Sequence, residues 1–188
     1  MTLCCSLVAE DPWKADEYYL HSSSQKEAAA DLLKHVLLKG DEAVLDVGCG
    51  EGKITAELAG KVVKGKVLGV GISSSMISFA KNHFLLSNLE FALKDAQRLD
   101  FSAQFDCVFS FTTLQWIQDH AAFLKGAHQS LKPFGTLALT MPLGLPQTLQ
   151  QAVIECVNSA KSSRTALPAS KSVPTLRNFR ALEPVRMN

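Results

Sequence analysis

The chain has 188 residues, 47% of them hydrophobic and 20% charged, with a formal net charge of +1. That is enough for one sizeable core and one domain of ordinary globular composition. It excludes a membrane-spanning run. The five cysteines, at 4, 5, 49, 107 and 156, are odd in number and include no C-x-x-C pair. This argues against a disulfide framework or a zinc site and for reduced thiols in a cytoplasmic setting. The five histidines, at 21, 35, 83, 120 and 128, have no metal-ligand spacing, and no metal is expected. The start, Met1-Thr2-Leu3-Cys4-Cys5, has no basic region before an apolar stretch, which argues against a signal peptide.

In chain order, the apolar spacing of Ala28, Ala29, Leu32, Leu33 and Val36 predicts a helix over Gln25–Leu38, capped by Ser22–Ser24. Ala43–Val47 reads as a first strand, and a helix begins over Lys53–Ala59. Lys66–Val70, between Gly65 and Gly71, reads as a second strand. Ser73-Ser74-Ser75 caps a helix containing Met76, Ile77, Phe79 and Ala80. Leu89–Leu93 and Phe105–Phe111 are strands three and four. His120–Leu131 is helical up to Lys132-Pro133, Gly135–Met141 is strand five, and Leu149–Ala160 is one more helix. This alternation requires crossover connections, hence an α/β fold with a parallel sheet and helices on both faces.

Residues 1–160 read as the folded domain, with a core at 41–142. From Lys161 the composition shifts to Ser, Pro, Arg and Lys. Residues 161–188 hold six Lys/Arg against Glu183 alone, and the rest of the chain is net −4. This reads as a solvated, disordered basic tail rather than a nucleic-acid or membrane contact.

The stretch Asp46-Val47-Gly48-Cys49-Gly50-Glu51-Gly52 carries the chemistry. A strand ends in three glycines spaced two apart, and a helix follows. Glycine permits a sharp turn and a close approach of ligand to backbone. The helix N-terminus presents N–H groups and the positive end of its dipole. The dinucleotide pattern G-x-G-x-x-G would need glycine at 53, which is Lys53. A strand-to-helix turn with no ligand stays open as the plain alternative.

These residues resemble motif I of the class I, Rossmann-like, S-adenosylmethionine-dependent methyltransferases, acid-x-Gly-x-Gly-x-Gly, over about residues 10–142. The small-molecule, trans-aconitate methyltransferase-like group is the nearest in pattern. The resemblance implies a three-layer Rossmann-like sheet, S-adenosyl-L-methionine as cofactor and a small-molecule methyl acceptor. It assigns Asp46, Gly48, Cys49, Gly50 and Gly52 to the cofactor loop. Gly71 falls at the ribose, Ile72 follows it as a cofactor-binding residue, Met76 lies beneath the adenine, Asp95 at its exocyclic amine and Ala96 beside the ring. Ser110, at the end of strand four, is placed near the methionine moiety. Tyr18 (or Tyr19), Gln115 and Trp116 are the substrate-side residues. For Met76, Tyr18 and Trp116 the alternative is packing; for Asp95 it is an aspartate turning its own backbone. No catalytic residue is assigned. His21 or His120 is available as a base, with a structural role as the alternative.

Three departures stand out. The position after strand two that holds a ribose-binding acid in this family is Gly71, and no Asp or Glu lies between Leu58 and Leu89. Two charge-assisted bonds to a diol contribute about 1.5–3 kcal/mol each, so the ribose grip is weakened. Phe134 stands where the family turn has glycine; if φ is positive there, the strain is about 1–2 kcal/mol. The C-terminal strand hairpin is missing or shortened. Strand five is then an edge that the tail covers, a protein partner covers or self-association covers, unless the chain is a shortened relative.

Two functions follow: a small-molecule methyltransferase with a weakened ribose site, or a degenerate, inactive relative serving as a binding module. A nicotinamide oxidoreductase is disfavoured by both the glycine spacing and the missing acid. The absence of an Asn/Asp-Pro-Pro-Tyr motif after strand four argues against nucleic-acid amino methylation.

Overall fold

The computed structural model describes residues 23–141 and the short segments 180–181 and 185–186. The elements are α1 (Ser23–Leu33), β1 (Ala43–Val47), α2 (Lys53–Lys61), β2 (Lys66–Gly71), α3 (Ser74–His83), β3 (Leu89–Leu93), β4 (Phe105–Phe111), α4 (His120–Ser130) and β5 (Leu131–Met141). Two single-turn 3-10 segments, Ala96–Arg98 and Leu114–Trp116, flank β4. The two-residue strands β6 (Arg180–Ala181) and β7 (Val185–Arg186) follow.

Strands alternate their side chains between faces, and the apolar residues here occupy both. Val44 of β1, with Cys107 and Phe109 of β4, packs under α1, α2 and α3 through Ala29, Leu32, Leu58, Ile77 and Ala80. Leu45, Val47 and Val108 point the other way, onto Phe123 and Ala127 of α4 and onto Leu99 and Leu114. The result is three layers with two cores. Five parallel strands run in the order β3-β2-β1-β4-β5. The chain leaves β1 outward in one direction through β2 and β3, then returns to add β4 on β1's other side. This reversal opens a crevice at the C-terminal ends of β1 and β4, where open α/β sheets bind ligands.

Three local differences from the sequence reading have physical causes. α1 stops at Leu33, not Leu38. Lys34 and His35 donate tight i−3 bonds to Asp31 and Leu32, and the Glu42 carboxylate takes the Lys39 and Gly40 N–H groups. Gly40, at φ +102°, then swings the chain into β1.

The α4–β5 boundary lies at Ser130, and β5 begins at Leu131 rather than Gly135. Leu131 is buried and pairs with Phe105, and the register shifts before Cys107 meets Thr136. Phe134 sits in that irregular stretch at φ +66°, so the strained conformation anticipated for it is present.

The free side of β5 is not bare. β6 pairs antiparallel with Thr140 and Met141, and β7 with Thr136 and Leu137. Of the three ways of covering that edge, the chain's own C-terminal residues are the one seen at these positions. They fall within the basic stretch 161–188, and both pair with β5 itself, as two short pieces running antiparallel along it. The helix expected at Leu149–Ala160 lies outside the described residues. Among the described residues no helix is long and apolar enough to cross a membrane.

Candidate functional site

Gly48, Gly50 and Gly52 all have positive φ, at 80°, 54° and 88°. Two of them also lack room for a side chain. A Cβ on Gly48 would lie 2.2 Å from Thr113 Oγ1, and one on Gly52 would lie 2.7 Å from the Phe91 ring. The loop is pinned to β2, because Gly48 and Cys49 both donate to the Val70 carbonyl, at 2.7 and 3.0 Å. Gly52 then caps α2 directly. These glycines are therefore demanded by conformation and by close packing against β3, α3 and the segment after β4.

Asp46 is 1% exposed in the middle of the sheet. The Thr55 hydroxyl, on α2, donates to its Oδ2 at 2.6 Å, while Oδ1 has no partner. Burial lifts its carboxyl pKa to about 7, the Thr55 hydrogen bond opposes this and the neighbouring Glu51 adds to it. Asp46 lines a narrow cleft with Gly48, Gly50, Glu51, Phe111 and, from α1, Gln25. Cys49 also lines it, but burial, reinforced by Asp46, pushes its thiol well above the usual range, so it is a neutral wall and not a nucleophile.

The second junction differs. Gly71 has no positive φ, and a Cβ there would meet only Ile77 Cδ1 at 3.6 Å and Cys49 Sγ at 3.8 Å, ordinary contact distances. Ile72 is 70% exposed on the rim. Met76 is buried in α3, its N–H donating to Ser73 Oγ at 3.2 Å, so the serine cap read from the sequence is present. Asp95 accepts the Gln97 N–H at 2.9 Å and caps the 3-10 turn that begins at Ala96. One of its oxygens therefore turns its own backbone.

Beyond β4, Ser110 is fully buried and donates to the Val47 carbonyl at 2.8 Å, tying β4 to the end of β1. Gln115 Nε2 donates to the Thr112 carbonyl at 2.7 Å, leaving Oε1 buried without a partner. Trp116 is 66% exposed, and His120 Nε2 lies 2.9 Å from the Leu114 carbonyl, a local structural bond. Tyr18, Tyr19 and His21 lie outside the described residues.

Sequence reasoning missed four residues. Thr55 supplies the only hydrogen bond that reaches Asp46's side chain among the described residues, and Glu51 is buried in the cleft. Thr113 fills the space beside Gly48, and Thr112 adopts φ +53° with its Oγ1 buried and unpartnered. A buried strand aspartate needs a donor, and a threonine one turn into the next helix was the available signal for Thr55. The others are tertiary contacts with no local mark. Among the described residues, the buried side-chain polar atoms without a partner are Asp46 Oδ1, Thr112 Oγ1 and Gln115 Oε1. All three sit at the ligand end of the sheet. No cluster of metal-ligating residues occurs among the described residues.

The family model described as a methyltransferase domain matches residues 38–177. The trans-aconitate 2-methyltransferase of Deinococcus radiodurans is 35% identical over 130 residues, 69% of this chain and 49% of that protein. The malonyl-[acyl-carrier protein] O-methyltransferase of Acetivibrio thermocellus is 34% identical over 128 residues, 67% of this chain and 45% of that protein. The chain thus spans about half the length of the curated relatives it matches.

Among solved structures, a SAM-dependent methyltransferase from Aquifex aeolicus superposes with a TM-score of 0.65 at 22% identity, covering 78% of this chain and 87% of that one. That likeness concerns the fold. Phosphoethanolamine N-methyltransferase 2 of Haemonchus contortus, solved with S-adenosyl-L-methionine, gives a TM-score of 0.57 at 26% identity over 70% of this chain and 32% of that one. With the glycine junction, the strand order and the matched domain in agreement, the chain belongs to the Rossmann-like, class I family of S-adenosylmethionine-dependent methyltransferases.

Proposed function

We propose that the chain binds S-adenosyl-L-methionine and methylates a small molecule, with a weakened hold on the cofactor's ribose. The observation that carries this is Asp46 Oδ1, a buried carboxylate oxygen without a partner in a cleft walled by glycine backbone. A buried acceptor of this kind calls for a donor or a cation, and the α-ammonium of an amino-acid moiety is both. The residues fit the cofactor at this end and lack the expected acid at the ribose.

When bound, S-adenosyl-L-methionine supplies an electrophilic sulfonium methyl group. The chain's own contribution is positional. The backbone of Gly48, Cys49, Gly50 and Gly52 admits the amino-acid moiety at the positive end of α2. Ser110 holds β4 against β1, so the two walls of the crevice keep their spacing. Ile72 and Met76 offer apolar surface to the adenine, and Asp95 with Ala96 borders its polar edge. Gln115 and Trp116 border the acceptor side, to which the family resemblance also assigns Tyr18. In-line transfer needs alignment and exclusion of water rather than a fixed acid or base.

Calorimetry with S-adenosylmethionine and S-adenosylhomocysteine tests this. Micromolar binding by the native chain supports the reading. A second reading, a degenerate binding module, is favoured by Gly71. Absence of binding by the native chain, with binding restored by Gly71→Asp, would establish that second reading instead.

A further inference from the structure

We infer that the ribose edge of this site is an open, uncharged hole that takes adenosyl ligands whose 2′ and 3′ oxygens carry no free hydroxyl or bear a small apolar substituent. The inference rests on the cofactor reading above and concerns what the site selects.

The argument starts from what Gly71 is not. β2 stays in regular parallel pairing to its last residue, with Gly71 opposite Leu93 and the Gly71 carbonyl accepting from Lys94 N at 2.8 Å. Its φ is not positive, so no turn demands glycine there. Two residues earlier, Gly69 is demanded, because a Cβ there would lie 2.8 Å from the Phe91 ring. At Gly71 the same added atom meets nothing closer than 3.6 Å. No described side chain occupies the place of a Cβ at Gly71.

Among the described residues, no carboxylate lies within 4 Å of that added atom. The bordering atoms are a methyl of Ile77 and the thiol of Cys49, which burial keeps neutral. Ser73 Oγ is engaged by the Met76 N–H and by Ser75, and Asp95 Oδ1 by Gln97. Glu90 is exposed and pairs with Leu68, three residues back from the strand end. A ribose diol placed here presents two donors to a strand end that, among the described residues, carries no carboxylate. Removing or capping those hydroxyls therefore relieves unsatisfied polar groups instead of breaking bonds.

Three probes test this by calorimetry on the full chain and on Gly71→Asp: S-adenosylhomocysteine, its 2′-deoxy analogue and its 2′,3′-O-isopropylidene derivative. The native chain should bind all three within about threefold. Gly71→Asp should gain about tenfold or more for S-adenosylhomocysteine, equivalent to about one charge-assisted bond, and should reject the isopropylidene form. A native preference of tenfold or more for the free diol, or rejection of the isopropylidene form by the native chain, overturns the inference. If neither protein binds any probe, the cofactor reading itself fails. If only Gly71→Asp binds, the native chain has rejected the capped ligands as well, and both this inference and the working-enzyme reading fall. Should Gly71→Asp not fold, the native chain's own ratios carry the test.

Discussion

Two neighbouring strand-to-helix junctions of this molecule are built alike and have diverged. At the β1–α2 junction, every glycine of the loop is left-handed, two have no room for a Cβ, and a buried carboxylate waits beneath them. At the β2–α3 junction, the terminal glycine has ordinary backbone and open space beside it, and no acid is present. The same residue type is a requirement in one place and a vacancy in the other. Glycine is informative only together with its φ and with what its missing Cβ would touch.

The sharpest way to break this comparison is to put the same methyl group at each junction. Gly48→Ala combines a left-handed alanine with an overlap against Thr113, and should cost about 3 kcal/mol or more. Gly71→Ala meets only ordinary contacts, and should stay within about 0.5–1 kcal/mol of the native chain, on the stabilising side through the unfolded state. Urea unfolding of the two variants measures both. Equal costs would erase the distinction.

Asp46→Asn sharpens the first junction. It keeps an acceptor for Thr55 and removes a buried charge, so stability should hold or rise. S-adenosylmethionine affinity should fall about tenfold to a hundredfold as a charge-assisted bond is lost. A variant that binds as the native chain does would remove Asp46 from the site.

A pH series reads the same group. The Asp46 pKa in the folded chain, about 7, lies above the ordinary value of 3.8. The folded state therefore binds the extra proton, and this contribution to stability is fully present below about pH 4 and lost as pH rises through about 7. A bound ammonium favours the ionised form, so cofactor affinity should strengthen over the same rise. Calorimetry between pH 6 and 8 in buffers of differing ionisation heat should detect proton release on binding. Binding without proton release would show that Asp46 is already ionised in the free chain.

The smallest effect is expected at Phe134, a left-handed residue remote from the ligand end. It is 70% exposed at φ +66°, so Phe134→Gly surrenders little burial and relieves strain, for a gain of about 1 kcal/mol. Thermal unfolding checks this. A loss of stability would mean that the aromatic ring packs more than its exposure indicates.

Much of the frame was legible in advance. β1, β3 and β4 fall on the residues that apolar runs marked; β1 and β4 are buried on both faces, while β3, at the sheet's end, alternates buried Leu89 and Phe91 with exposed Glu90. The α4–β5 boundary was misread because Leu131 continues the helical apolar pattern. Its pairing with Phe105, a contact across the sheet, decides its state. In the site, Asp46 and the glycines were legible through their spacing. Thr112 and Thr113 were not, since each matters through a neighbour distant in sequence or through a φ angle, whereas Thr55 carried a local signal that was passed over. Ser110 was read as ligand-side, and its hydroxyl donates to the Val47 carbonyl.

Sequence alone thus determined the α/β class, the element order and the glycine loop, because hydrophobic period and turn chemistry are local properties of the chain. It also showed that the acid after β2 is absent. Only the tertiary structure decided what that absence means. Whether a missing side chain leaves a hole or a filled space depends on where Ile77, Cys49 and the end of β3 come to lie, and packing between segments remote in sequence sets those positions.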